Sequence, residues 1–237
     1  MGASGPHPCA SLAQEWDSTA IALLRFKRTT NDEQRTTKSE RPLMLPYLQL
    51  FAWLACVAYC TIPAFWLMVH PFAEKWRAQR HSPYLILLPA WMAMWAAVVL
   101  CTRPWRTALV YHSNWSWIAG LALFATGLCI HAQSLKNFSA KQLGGVPELH
   151  SANRDQRLVT EGVRSRVRHP VYLAYLCEMF GLSLGTGLAV CWSLTAFAVL
   201  TGAVMIRMED AELEKRFGDE YRAYRSSVPA VLPRLFP

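Results

Sequence analysis

One stretch limits this chain more than any other: from Val171 to Ile206 the sequence runs 36 residues without Lys, Arg or Asp and with Glu178 as its single acid. A single helix of that length would be about 54 Å long, against a hydrocarbon core of roughly 30 Å. The run must therefore fold back on itself. The segment "GLSLGTG" supplies the expected break, because Gly181, Gly185 and Gly187 weaken a helix and permit a tight turn. A helical hairpin follows, with both ends on one side of the membrane.

Three further apolar runs, Pro46 to Val69, Pro83 to Thr102 and Trp115 to His131, are each close to the ~20 residues that cross a bilayer. With 53% hydrophobic and 17% charged residues over 237 positions, the whole chain is too apolar for a water-soluble domain of this length. The expected fold is all-α and integral to the membrane, with about five transmembrane helices, a C-terminal helical hairpin and a cytoplasmic cofactor site. Residues 1–43 form a polar, disordered extension with no signal-peptide pattern; an interfacial helix built on Leu12, Trp16, Ile21, Leu24 and Phe26 is the alternative for part of it. Residues 44–135 hold three spans, and residues 136–237 the catalytic region.

Five spans place the loops 70–82 and 132–170 and the tail 207–237 on one face, with 16 Lys and Arg against 8 on the other. The positive-inside rule makes the first face cytoplasmic, in a cell inner membrane or the endoplasmic reticulum. The net charge of +8 is then explained by loops beside anionic lipid rather than by nucleic acid. The seven cysteines show no metal-ligand spacing and are read as small packing residues.

Chemistry is left to the polar segments that flank the hairpin, "RLVTEGVRSRVRHPVYLAY" and "MEDAELEKRFGDEYRAYRSSVPAVLP". The hairpin brings these together although ~36 apolar residues separate them. Gly162, then Arg168-His169-Pro170-x-Tyr172, then Glu209-Asp210, Tyr221-x-x-Tyr224 and Val228-Pro229, resemble in order and spacing the isoprenylcysteine carboxyl methyltransferase family of integral membrane enzymes, related to phospholipid N-methyltransferases. The resemblance covers roughly Asn137 to Pro233. It implies S-adenosylmethionine as methyl donor and a lipid-like or small hydrophobic methyl acceptor reached from the membrane lipids. Glu209 and Arg168 are thereby assigned to catalysis, and Gly162, His169, Pro170, Tyr172, Asp210, Tyr221 and Tyr224 to the cofactor. The chain departs from the family pattern in having Arg164 two positions after the motif glycine, Ala174 two after the motif tyrosine, and Asp210 as the second acid.

The residues also suit the chemistry directly. Methyl transfer from a sulfonium is an in-line displacement that needs alignment and charge management. Carboxylates such as Glu209 and Asp210 suit a cationic donor, while Arg168 and His169 suit its carboxylate end. Arg164 and Arg166 are read as topology signals and headgroup contacts. Glu178, one to two turns inside the hairpin, is either a functional intramembrane acid or a hydrogen-bonding partner of Ser193 or Thr195. Two other functions fit parts of the pattern: a sterol-type reductase using NADPH, whose relatives are larger, and a non-catalytic membrane scaffold.

Overall fold

A computed structural model of the chain describes residues 44–136, 149 and 158–234. The chain divides into a unit of residues 1–47 and a unit of residues 48–237. Of the first unit only the opening turn of one helix is described, so the expectations for the N-terminal extension lie outside the described residues. The elements are α1 (Met44–Val69), α2 (Ala73–Ala78), α3 (Tyr84–Thr102), α4 (Trp115–Leu135), α5 (Pro170–Thr186), α6 (Ala189–Phe217) and α7 (Asp219–Ser227). Among the described residues there is no β-strand, only an isolated bridge between Leu109 and Leu188.

The fold is all-helical, and its outer surface inverts that of a water-soluble protein. Leu85, Ile86, Met92 and Leu100 on α3, Ile118 and Leu121 on α4, and Phe197, Leu200 and Val204 on α6 point outward and are exposed, the arrangement that lipid rather than water rewards. Four stretches are long and apolar enough to cross a membrane: Leu45–Ala78, Tyr84–Trp105, Trp115–Leu135 and Ala189–Phe217. The protein is a multi-pass membrane protein. The sequence expectation was five spans, and the difference lies in α5. This helix has 17 residues, about 25 Å at 1.5 Å per residue, and eleven of them are buried against other helices. A helix sheathed by protein needs little lipid-facing apolar surface of its own.

Inside, α1 meets the hairpin. Trp53, Cys56, Val57 and Cys60 of α1 pack with Met179 and Leu182 of α5 and with Val190, Cys191, Leu194 and Ala198 of α6. Cys56, Cys60 and Cys191 are free thiols buried in this core, where they act as small hydrophobes. Trp53 donates its indole N–H to Thr102 Oγ1 at 2.9 Å, which satisfies that buried polar group.

The hairpin turns at one glycine, not three. Gly187 has φ +65°, and its N–H donates to Ser183 O at 2.9 Å, closing α5 with a left-handed cap. The segment before α4 covers this turn: Val110 N donates to Gly187 O at 2.8 Å and Ala189 N to Ala108 O at 2.9 Å, while the Tyr111 hydroxyl donates to Leu184 O at 2.7 Å. Gly181 and Gly185, expected to break the helix, instead lie within α5 and allow α4 to approach. A Cβ on Gly181 would stand 2.6 Å from Gly120 O and 2.8 Å from Phe124 N, and one on Gly120 2.6 Å from Gly181 O. Small residues permit such backbone contact between membrane helices. Gly181→Ala should therefore force α4 and α5 apart and destabilise the protein by about 1 to 3 kcal/mol, the range for overpacked cores. A lowered unfolding midpoint in detergent would register this, and an unchanged midpoint would show that the helices can slide.

Candidate functional site

The site is assembled at the N-terminus of α5. His169 is the N-cap residue and Pro170 occupies the first helical position, where a missing N–H costs no hydrogen bond. The preceding backbone is clamped by the C-terminal tail: Arg168 N donates to Pro229 O and His169 N to Ala230 O, both at 2.9 Å. The two polar segments flanking the hairpin thus lie side by side, as their placement in the sequence implies. Gly162, with φ +65°, opens the single helical turn Gly162–Ser165 that leads into Arg168.

Asp210 is the hub. Its Oδ2 accepts from the Arg168 guanidinium at 2.8 Å, and its Oδ1 accepts from His169 Nε2 at 2.9 Å and from the Tyr221 hydroxyl. Arg168 also donates to the carbonyls of Arg225, at 3.1 Å, and Val228. Arg168, His169, Asp210 and Tyr221 are all buried. Tyr221 is brought there by α7, which begins directly after α6 ends. Tyr224, one turn further along, donates to Arg164 O at 2.7 Å, and an Arg164 N–H donates to Arg168 O at 3.2 Å. Arg164 therefore braces the motif backbone, a role its reading as a topology signal did not include.

Glu209, the preceding residue of α6, has a different situation. Its Oε2 pairs with His169 Nδ1 at 3.1 Å, and its side chain retains 24% exposure where that of Asp210 retains 7%. The two adjacent acids have separate environments: one is locked in a buried network, the other is held from one side and reachable from outside. Tyr172 lies beside His169 with ring centroids 6.0 Å apart and donates its hydroxyl to Met205 Sδ at 3.1 Å. Of the sequence-predicted residues, His169, Glu209, Asp210, Arg168 and Tyr221 share one network. Tyr172 abuts it, Pro170 starts the helix that presents it, and Tyr224 and Gly162 support its frame.

Between two carboxylates, His169 favours its charged form. Burial opposes a charged ring, but the Glu209 charge and the hydrogen bonds to Asp210 and Glu209 outweigh it and raise the group from 6.5 to about 9. Both ring nitrogens are then donors, which matches one carboxylate oxygen on each side. Burial and the Asp210 carboxylate raise the Tyr221 hydroxyl, so it stays protonated and donates. Because the folded-state value of His169 lies above the unfolded one, its contribution to stability is complete below about pH 6.5 and is lost as pH rises through about 9. The unfolding midpoint should fall across that alkaline window, and His169→Gln should flatten the slope. A wild-type midpoint constant from pH 6.5 to 9 would contradict a charged His169.

Glu178 is fully buried and takes its partner from α4, not from the fifth apolar segment: Oε1 lies 2.7 Å from His131 Nδ1. Ser193 donates back to Ala189 O and Thr195 pairs with Ser183 at 2.9 Å, so neither meets Glu178 as expected. His131 was missed in the sequence because it reads as the end of an apolar run.

A methyl sulfonium donor is a cation joined to an amino-acid end. Glu209 is an accessible carboxylate for the first, held in place by His169, so the residues present fit the cationic end of such a cofactor.

Comparison with known proteins gives a family match and several relatives. Residues 115–220 match the family described as phospholipid methyltransferase. The chain is 34% identical over 84 residues to a protein-S-isoprenylcysteine O-methyltransferase of Schizosaccharomyces pombe, covering 34% of this chain and 35% of that one. It is 33% identical over 149 residues to the cobalt-zinc-cadmium resistance protein CzcN of Cupriavidus metallidurans, covering 61% and 64%. It is also 24% identical over 188 residues to methanethiol S-methyltransferase 2 of Bradyrhizobium diazoefficiens, covering 72% and 68%. The chain thus spans about a third of the length of the first relative and less than two thirds of the second. No solved structure matches.

Proposed function

We propose, on the premise that this chain belongs to the integral membrane methyltransferase family that joins isoprenylcysteine and phospholipid methyltransferases, that it transfers a methyl group from S-adenosylmethionine to a lipid-like or small hydrophobic acceptor. The observation that carries this reading is the split between the two acids. Asp210 fixes Arg168, His169 and Tyr221 in place, which leaves the partly exposed Glu209 poised on His169 as the group that meets ligands.

When bound, the cofactor supplies an electrophilic methyl group. Glu209 balances positive charge at the methyl-bearing end and orients the acceptor, and a preorganised carboxylate beside developing charge is a large electrostatic effect. His169, charged and donating to both carboxylates, holds Glu209 in position against Asp210, and Arg168 acts behind it by fixing the motif backbone to Asp210 and the tail. Tyr172 and Pro170 shape the wall beside His169. No covalent intermediate with the protein is required, so alignment is the main task of the fold.

In this reading α5 counts as the fifth span, and residues 158–170 and 207–234 face the cytoplasm, the side favoured by the Lys and Arg distribution. A cysteine placed at Arg225 should then react with an impermeant maleimide from the cytoplasmic side only. Labelling from the opposite side would reverse the orientation.

Titration calorimetry of the purified protein with S-adenosylhomocysteine and with NADPH tests the activity class. Binding of the first and not the second is expected. Binding of NADPH alone would make the protein a reductase, and binding of neither would leave it a scaffold.

A further inference from the structure

Glu178 has no part in the network described above, yet it is the single acid in an apolar run of 36 residues, where an ionisable group is costly. It is fully buried, and its Oε1 lies 2.7 Å from His131 Nδ1. The other oxygen, Oε2, is enclosed and has no hydrogen-bond partner among the described residues. A buried pair with one oxygen unsatisfied is a weak source of stability. Adhesion between α4 and α5 does not need it either, because the glycine contacts already bring the two backbones together. What a hydrogen bond adds to such an interface is direction.

The pair stands at the end of a series of side chains that runs along α5. His169, Tyr172, Tyr175 and Glu178 follow one another at intervals of three residues, so each can touch the next. The His169 ring meets that of Tyr172 edge to face with centroids 6.0 Å apart, and Tyr172 meets Tyr175 edge to face at 5.2 Å. Tyr175 in turn lies 5.9 Å from the His131 ring, which Glu178 holds, and it stacks on Tyr59 of α1, also at 5.9 Å.

Three residues fall about 60° short of a full helical turn, so the series winds around α5 by about half a turn from His169 to Glu178. At its start it faces α6, where His169 bonds Asp210 and Tyr172 donates to Met205 Sδ at 3.1 Å. At its end it faces α4. Gly127 makes room there, because a Cβ on it would stand 2.6 Å from Glu178 Cγ, and His131 lies one turn further along the same helix. The Tyr172 ring, which forms the wall beside His169, is thus set from two sides: by Met205 at its hydroxyl and by Tyr175 against its ring.

We propose that Glu178 and His131 are positioning residues for this site: their directional bond fixes Tyr175, and through it the angle at which Tyr172 presents its ring beside His169. The proposal rests on the methyltransferase reading and deepens it, since the ring is presented to a bound methyl donor. Glu178 and His131 act through Tyr175 and Tyr172 rather than by touching a ligand. Apolar side chains would fill the same space but would leave the Tyr175 ring able to tilt.

The test uses the full chain in detergent. In Glu178→Leu/His131→Leu both polar groups go together, so no charge is stranded and the protein should unfold at or above the wild-type midpoint, as buried pairs replaced by apolar groups commonly do. S-Adenosylhomocysteine affinity should nevertheless fall by ~10-fold, within the range for packed networks that link separate sites. Glu178→Gln, whose carboxamide can still meet His131 Nδ1, should keep the wild-type affinity. Fluorine NMR of ligand-free protein labelled with 3-fluorotyrosine gives the direct readout. The Tyr172 resonance, identified by its absence in Tyr172→Phe, should shift in the double variant and stay in place in Glu178→Gln. An unmoved Tyr172 resonance or wild-type affinity in the double variant would overturn the proposal, and so would failure of the double variant to fold, which would make the pair a stabilising contact alone. Failure of the wild type to bind S-adenosylhomocysteine would instead overturn the methyltransferase reading, and the resonance would still decide whether the pair positions Tyr172.

Discussion

Asp210→Ala should cost about 3 to 5 kcal/mol of stability, because it removes the shared partner of Arg168, His169 and Tyr221 and strands a buried guanidinium. Against a total of roughly 5 to 15 kcal/mol for a folded domain, that is a large share. The energy comes mainly from the charge left behind. Arg168 retains 8% side-chain exposure, and its remaining partners, the carbonyls of Arg225 and Val228, do not neutralise it. The tail should loosen first, since it is held to α5 through Arg168 and through the backbone bonds to Pro229 and Ala230. Limited proteolysis should therefore cut near residues 228–234 in the variant at protease levels that leave the wild type intact, together with a lower unfolding midpoint. A midpoint within about 1 kcal/mol of wild type would show that Asp210 is not the anchor described above.

The same network shows what the sequence made legible. The length of the Val171–Ile206 run already required a hairpin, and a hairpin necessarily brings its two flanks together, so the meeting of Arg168-His169 with Glu209-Asp210 followed from the order of residues alone. The division of labour between Glu209 and Asp210 did not. Adjacent residues on a helix point about 100° apart, and which of them faces the buried side depends on how α6 is rotated against α5. Glu178 illustrates the same limit. Its partner His131 sits on α4, and the register between α4 and α5 is fixed by Gly120 and Gly181 in backbone contact, a packing role that propensity rules read as helix breaking.

Glu209→Gln and His169→Gln should fail in different ways, although the two side chains touch. In Glu209→Gln the carboxamide keeps the shape and can still accept from His169, so the frame of the site loses little; what disappears is the negative charge beside the methyl-bearing cation and the acceptor. Turnover should fall by ~100-fold or more while S-adenosylhomocysteine affinity changes little, because homocysteine sulfur is uncharged and an interaction made mainly in the transition state appears in kcat. In His169→Gln the lost interactions are the charge-assisted hydrogen bonds to Glu209 and Asp210, each worth about 1.5 to 3 kcal/mol, so the loss should appear first as a lower unfolding midpoint. The loss should grow no further at alkaline pH, since the group that titrates at about 9 has been removed. If both variants instead lost cofactor affinity equally, Glu209 would be a cofactor ligand and catalysis would rest on alignment alone. Full activity in Glu209→Gln would remove its partly exposed carboxylate from the mechanism.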